Sequence, residues 1–320
     1  MRHNGAVQTA DFFGTEISKL VIGTVQFGMY YGLANRAGQP SEQDVVAMVG
    51  QALESGVNAF DTAVMYGSSE SVLGQAFEAL DAGDRVFVST KVPPVEGDSE
   101  AERAAFIEAA VAGSRERLRL KRVPLCMFHR FHNLGDLGLL LKLRDRGWIE
   151  HAGVSVYHPA DAQVAIETEG VSAIQIPTSL LDQRFVRAGT FALAAEHGVA
   201  VFCRSVYLQG MLTMAEQDVP EHLQETTPIT RRLRELAGDE GLAAYALRYV
   251  ASLPGMSGAV VGMETIEQLR GNVATIERGP LPSATMAAID EMVPDLPSHI
   301  VNPGDWRWND PYEWKKPKNG

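Results

Sequence analysis

What most constrains the fold of this chain is a rhythm. Eight short apolar runs occur in order, each followed by a longer stretch of helical spacing. The runs are 20–24 (LVIGT), 58–63 (NAFDTA), 86–91 (VFVSTK), 125–129 (LCMFH), 151–156 (HAGVSV), 173–178 (AIQIPT), 199–205 (VAVFCRS) and 258–262 (GAVVG). Short runs rich in Val, Ile and Phe suit strands buried on both faces. The first helical stretch opens at Ser41, a hydroxyl N-cap before an acidic turn. Val45, Met48, Val49, Ala52 and Leu53 then share one apolar face, and Gly56 stands where a glycine ends a helix. Further helices are expected over 69–80, 101–120, 137–146, 159–169, 187–197, 230–252 and 265–277.

Eight strand–helix pairs are the count of an α/β (β/α)8 TIM barrel. The rival is an open doubly wound sheet, whose glycine-rich GxGxxG would follow the first strand. Here GTVQFG stands there instead. The 320 residues carry no low-complexity linker, so one domain spanning 1–320 is expected. Its tail, about 283–320, holds Trp306, Trp308 and Trp314 and is expected near the substrate face, on the barrel wall or in a subunit contact. Net charge is −12, which lacks the basic footprint of a nucleic-acid binder or of a protein drawn to anionic lipid. No apolar run reaches the roughly 18 residues of a membrane span, and the first twenty residues have no apolar signal core. Cys126 and Cys203, both in apolar runs, read as buried thiols of a reducing compartment, so the expected location is cytoplasmic.

Barrels of this type carry their chemistry at the C-terminal ends of the strands. Asp61 ends the second run and Tyr66 follows it; Lys91 ends the third; His129 ends the fourth. These four converge if the barrel forms. A phenol titrates near pH 10, and delivering a proton at neutrality calls for tuning worth roughly 4 kcal/mol, which a Lys ammonium beside it supplies by favouring phenolate. Asp61 would keep Lys91 charged, and His129 would donate to a carbonyl oxygen. His132 is a rival for that place; the register of VPLCMFH favours His129. None of these groups is a redox centre, so a cofactor that transfers hydride fits the set, and no metal is expected.

At this point the chain resembles the aldo-keto reductase superfamily. The resemblance rests on GTVQFG, NAFDTAVMYGSSESVLGQAF, STK, VPLCMFH, AGVSVY, AIQIPTSLLDQR, FCRSVYLQGML and VVGMETIEQLRGNV, and covers about residues 18–275. It implies reduction of a small aldehyde, ketone or sugar carbonyl by a nicotinamide cofactor, with Asp61, Tyr66, Lys91 and His129 as the catalytic set. It puts the cofactor on Gly23 and Thr24, on Ser155 and Gln175 at the carboxamide, on Arg204, Ser205, Leu208 and Gly210, and on Gly262, Glu264, Gln268 and Asn272. TVQFGMYYGLAN, DQRF and RSVYLQGML further resemble a bacterial branch tied to surface-sugar and sugar-nucleotide pathways, which hints at a keto-sugar.

Two positions depart from the family's pattern. Arg204 stands where many members stack an aromatic ring on the nicotinamide, and Glu264 where NADP-preferring members often carry a cation. A carboxylate there argues for NAD(H), with Arg270 as a possible compensating charge; the family as a whole leans to NADP(H), so both stay open. Substrate selection is expected in loop 213–228 and the tail, with Arg184, Arg204 and Arg307 as candidate anion binders. Two other readings carry the same motifs: a cofactor-sensing regulatory subunit, and a redox-neutral enzyme that keeps its nicotinamide.

Overall fold

Each of the eight apolar runs is a strand in the computed structural model, which describes residues 7–306. Two strands outside that rhythm come first, β1 (Thr9–Phe12) and β2 (Thr15–Ser18), an antiparallel hairpin turning at Gly14, whose φ of +85° suits glycine. The eight are β3 (Leu20–Gly23), β4 (Ala59–Asp61), β5 (Phe87–Val92), β6 (Val123–Phe128), β7 (Ile149–Ser155), β8 (Ala173–Pro177), β9 (Ala200–Arg204) and β10 (Met256–Gly262). They close as a barrel in sequence order, with β10 pairing back onto β3 and neighbouring strands parallel. This is the (β/α)8 barrel.

Residue alternation divides the core. Leu20 and Ile22 face outward into the main layer between strands and helices. Val21 faces inward, with Phe87, Leu125, Met127 and Phe202. Phe12 of the hairpin joins that inner set, meeting the Phe87 ring edge-on at 4.9 Å. The hairpin thus plugs the N-terminal end of the barrel.

The helices follow the expected places with shifted ends. The helix Glu42–Glu54 starts at Ser41, whose Oγ accepts from the Asp44 N–H while Asp44 accepts from the Ser41 N–H. Ser99 and Glu102 repeat that reciprocal pair at Glu100–Leu118. The stretch expected as one helix over 230–252 is two, Thr227–Ala237 and Leu242–Ala251. The break lies at Gly238 and Gly241, both at positive φ, which an α-helix cannot accommodate.

The described part of the tail packs on the barrel wall. Ile289, Val293, Ile300 and Val301 are buried, and Arg187 binds the Asp290 carboxylate and donates to the Val293 carbonyl at 2.6 Å. Trp306 is buried and its Nε1 donates to the Ile300 carbonyl. Trp308, Trp314 and Arg307 lie outside the described residues. Among the described residues no helix is long and apolar enough to cross a membrane.

Candidate active site

Strand register brings the site together. Gly262, Gly23, Asp61 and Ser89 are successive partners across β10, β3, β4 and β5. Ser155 pairs with Gln175 across β7 and β8. These strand ends floor a cavity of about 580 Å³ that the following loops wall.

At its floor Asp61 is 3% exposed and Lys91 1%. Lys91 Nζ lies 2.7 Å from both Asp61 carboxylate oxygens and donates to the Thr62 carbonyl at 2.9 Å. Ser89 Oγ donates to Asp61 Oδ1 at 2.6 Å, and Gln175 Nε2 donates to the same atom at 2.8 Å. Three donors therefore make four hydrogen bonds to one buried carboxylate, satisfying it as a buried charge requires. Tyr66 stands above: Lys91 Nζ is 5.3 Å from its ring centre, and the His129 ring meets it edge-on at 5.8 Å. Asp61, Tyr66 and His129 line the cavity; Lys91 sits behind Asp61. His132, the rival, is exposed in the turn Phe131–Asp136.

The loop carrying Tyr66 is pinned from below. Ser69 Oγ lies 2.7 Å from Thr24 Oγ1 and 3.0 Å from Thr62 Oγ1, and donates to the Thr24 carbonyl. Glu70 accepts from Thr90 Oγ1 and pairs with Arg117 at 2.7 Å. The Tyr66 carbonyl lies against Gly28, where a Cβ would come within 1.8 Å of it. Only glycine permits that approach.

Burial sets the protonation of these groups. It pushes the Lys91 ammonium down, and the Asp61 carboxylate opposes it. Burial, the Lys91 ammonium and the Arg204 and Arg130 guanidiniums hold His129 down at about 3, so the ring is neutral. Its Nδ1 is buried with no hydrogen-bond partner. Tyr66 corrects the sequence expectation of a lowered phenol. Burial first, then the Asp61 charge, push it up, and the cation that opposes them is Arg204. Lys91 is matched by the carboxylate it binds, so its charge is offset before it reaches the phenol. The resting phenol is fully protonated.

The positions expected to hold a cofactor line the same cavity: Gly23, Thr24, Ser155, Gln175, Arg204, Ser205, Gly210, Gly262, Glu264, Gln268 and Asn272. Leu208 does not; its side chain is buried in the main core, and only its backbone, at φ +46°, shapes the loop. Ser205 and Gln209 are also at positive φ, so 205–209 is held in a conformation that non-glycine residues avoid. Glu264 has its N–H bonded to Gln268 Oε1 at 2.7 Å, and burial pushes its carboxyl up. Arg270, its possible compensator, is on the outer surface against Gln51. Arg184 is spent on Asp182, with two contacts of 2.8 Å.

The residues fit a nicotinamide cofactor. Gln175 commits its amide nitrogen to Asp61, while Oε1 is buried without a partner and can accept from a carboxamide N–H. Gly23 and Gly262 keep the wall beside it free of side chain. Sequence reasoning missed Tyr31, Tyr157 and Gln26, which also line the cavity from loops after β3 and β7 and from the turn following Thr24. All three lie in segments singled out above, GTVQFG, TVQFGMYYGLAN and AGVSVY, but no role was attached to them there.

A sequence model described as the aldo/keto reductase family matches residues 19–294. Uncharacterized oxidoreductases of Mycobacterium bovis and Mycobacterium tuberculosis are each 30% identical over 297 residues, covering 82% of this chain and 85% of theirs. Among solved structures, the holo form of the aldo-keto reductase AKR11C1 from Bacillus halodurans superposes with a TM-score of 0.75 at 22% identity, over 91% of this chain and 97% of that one. Its apo form gives 0.73 at 23% identity, over the same shares. At that identity these structures speak to the fold.

Proposed function

Since the chain belongs to the aldo/keto reductase family, we propose that it reduces the carbonyl of a small aldehyde, ketone or keto-sugar to the alcohol with NAD(P)H, using Tyr66 as proton donor. The observation that carries this reading is the Asp61–Lys91 pair, buried at 2.7 Å beneath Tyr66 and His129 in one cavity. A nicotinamide cofactor held in that cavity would supply the hydride for the carbonyl carbon. Ser155 and the free Oε1 of Gln175 would hold its carboxamide, and Glu264, Gln268 and Asn272 would hold its other end.

The chain's own groups handle the oxygen and its proton. Neutral His129 donates a ring N–H to the carbonyl oxygen and orients it. The Tyr66 hydroxyl, kept protonated by burial, gives its proton to that oxygen as negative charge develops there. The phenolate left behind is stabilised by the Arg204 guanidinium, while the Asp61–Lys91 pair forms the buried floor on which Tyr66 stands. The test is oxidation of NADPH or NADH by the purified protein when aldehydes, ketones and keto-sugars are added in turn. Oxidation with one class supports the proposal, and none with either cofactor across the panel overturns it.

A further inference from the structure

We propose that Arg204, with Arg130 beside it, forms a subsite for an anionic group on the substrate, so that the enzyme selects carbonyl compounds carrying a carboxylate or a phosphate. The inference rests on the carbonyl-reducing reading above and names the substrate class of that site.

The chain carries a net charge of −12, and many of its arginines among the described residues are neutralised by a carboxylate. Arg103, Arg117, Arg184, Arg187 and Arg248 each hold an acid. Arg204 does not. It lies on the cavity wall at the end of β9, its guanidinium 4.2 Å from the centre of the Tyr157 ring. Nη1 reaches Ser205 Oγ at 3.2 Å, while Nη2 is buried with no hydrogen-bond partner. Arg130 lies 5.1 Å from the same ring, and among the described residues it has no ion pair either. Two guanidiniums thus share the Tyr157 ring, Arg204 on the cavity wall with His129 and Arg130 exposed outside the lining, and among the described residues neither pairs with a carboxylate.

A part-buried guanidinium without a counter-charge is costly, and it persists where an arriving anion completes it. The protein's own carboxylates do not serve. Asp61 is saturated by Lys91, Ser89 and Gln175, and the Glu264 carboxyl accepts from the side chains of Gln268 and Gln26. Arg204's charge is felt by Tyr31, Tyr66, Lys91 and His129, so it sits among the groups that handle the carbonyl. The planar fork of a guanidinium matches carboxylate and phosphate oxygens alike.

The test compares matched pairs: 4-carboxybenzaldehyde against 4-methylbenzaldehyde, and glyceraldehyde 3-phosphate against glyceraldehyde. The wild-type enzyme is expected to favour the charged member of at least one pair by roughly tenfold or more in kcat/KM, the worth of a charge-assisted hydrogen bond. The pair that shows it distinguishes carboxylate from phosphate. Arg204→Gln is expected to bring that ratio to near one and Arg204→Lys to keep part of it, with any change in cofactor Kd smaller than the change in the ratio. Arg130→Gln changes an exposed side chain and folds regardless. It is expected to lower the ratio by a smaller factor that shrinks further with added salt. A wild-type ratio near one in both pairs overturns the inference while leaving carbonyl reduction standing. A ratio unmoved in the variants, or a cofactor Kd weakened in step with turnover, overturns it too, the latter by assigning Arg204 to the cofactor. No turnover of any of the four aldehydes also overturns the inference, while the wider panel above decides carbonyl reduction.

Discussion

Replacing Asp61 with Asn removes the one charge that compensates Lys91. In the native protein Lys91 Nζ sits 2.7 Å from both carboxylate oxygens, with the two side chains 1% and 4% exposed. After the change Lys91 keeps the Thr62 carbonyl at 2.9 Å, and Ser89 and Gln175 face an amide that accepts on one side only. Removing one partner of a buried pair costs about 3–5 kcal/mol. Burial already drives Lys91 toward its neutral form, so the ammonium can shed its proton, and the cost should fall near the lower end of that range. Unfolding entropy of about 2.1 cal/mol/K per residue, over 320 residues, turns about 3 kcal/mol into a Tm drop of about 4–5 °C. The assay is urea and thermal unfolding of Asp61→Asn, Lys91→Met and the double variant. The double variant should lose less than the sum of the singles by more than about 1 kcal/mol, since Met leaves no charge to strand. Additive losses, or a single-variant loss within 0.5 kcal/mol (the range of an ordinary surface change), would refute the reasoning.

Stability should also depend on His129. The folded protein keeps it neutral down to about pH 3, whereas the unfolded chain takes up a proton near 6.5. Between those values the unfolded state binds the extra proton, so stability falls as pH drops, by up to about 1.4 kcal/mol per unit. Urea titrations at stepped pH should show that slope flattened in His129→Gln, and an unchanged slope would contradict it. Gly28→Ala drives a methyl into the Tyr66 carbonyl and should lower kcat more than it weakens cofactor Kd; equal effects would mean the loop yields elsewhere. Glu264→Gln removes a carboxylate from the far end of the cavity and should improve NADPH binding relative to NADH by roughly tenfold, about 1.4 kcal/mol. Tryptophan-emission titrations measure that ratio, and a ratio that does not move would remove Glu264 from coenzyme choice.

The barrel was legible because its strands are buried on both faces and read as unbroken apolar runs, LVIG and AIQIP among them. The hairpin was not, since TADF and TEIS are four residues each and mostly polar. The long helix over 230–252 was read through two glycines whose positive φ appears only in the backbone. Asp61, Lys91 and His129 were legible because strand ends are where a barrel exposes polar groups. Tyr31 and Tyr157 sit in loops that no periodicity marks, and only folding brings them to the cavity. The phenol's shift was misjudged because spacing puts Lys91 near Tyr66 but does not reveal how completely Asp61 offsets it. Leu208 came from a matching motif whose backbone bends there while its side chain turns into the core.

The central claim is that Tyr66 gives the proton while other groups hold the cofactor. Steady-state turnover and cofactor Kd of Tyr66→Phe test it most directly, because the change removes one hydroxyl and keeps the ring. The account predicts a loss of turnover of roughly a hundredfold or more, in the range of general acid catalysis, with cofactor Kd within about twofold of wild type, a difference of about 0.4 kcal/mol. Turnover retained at the wild-type rate would contradict it.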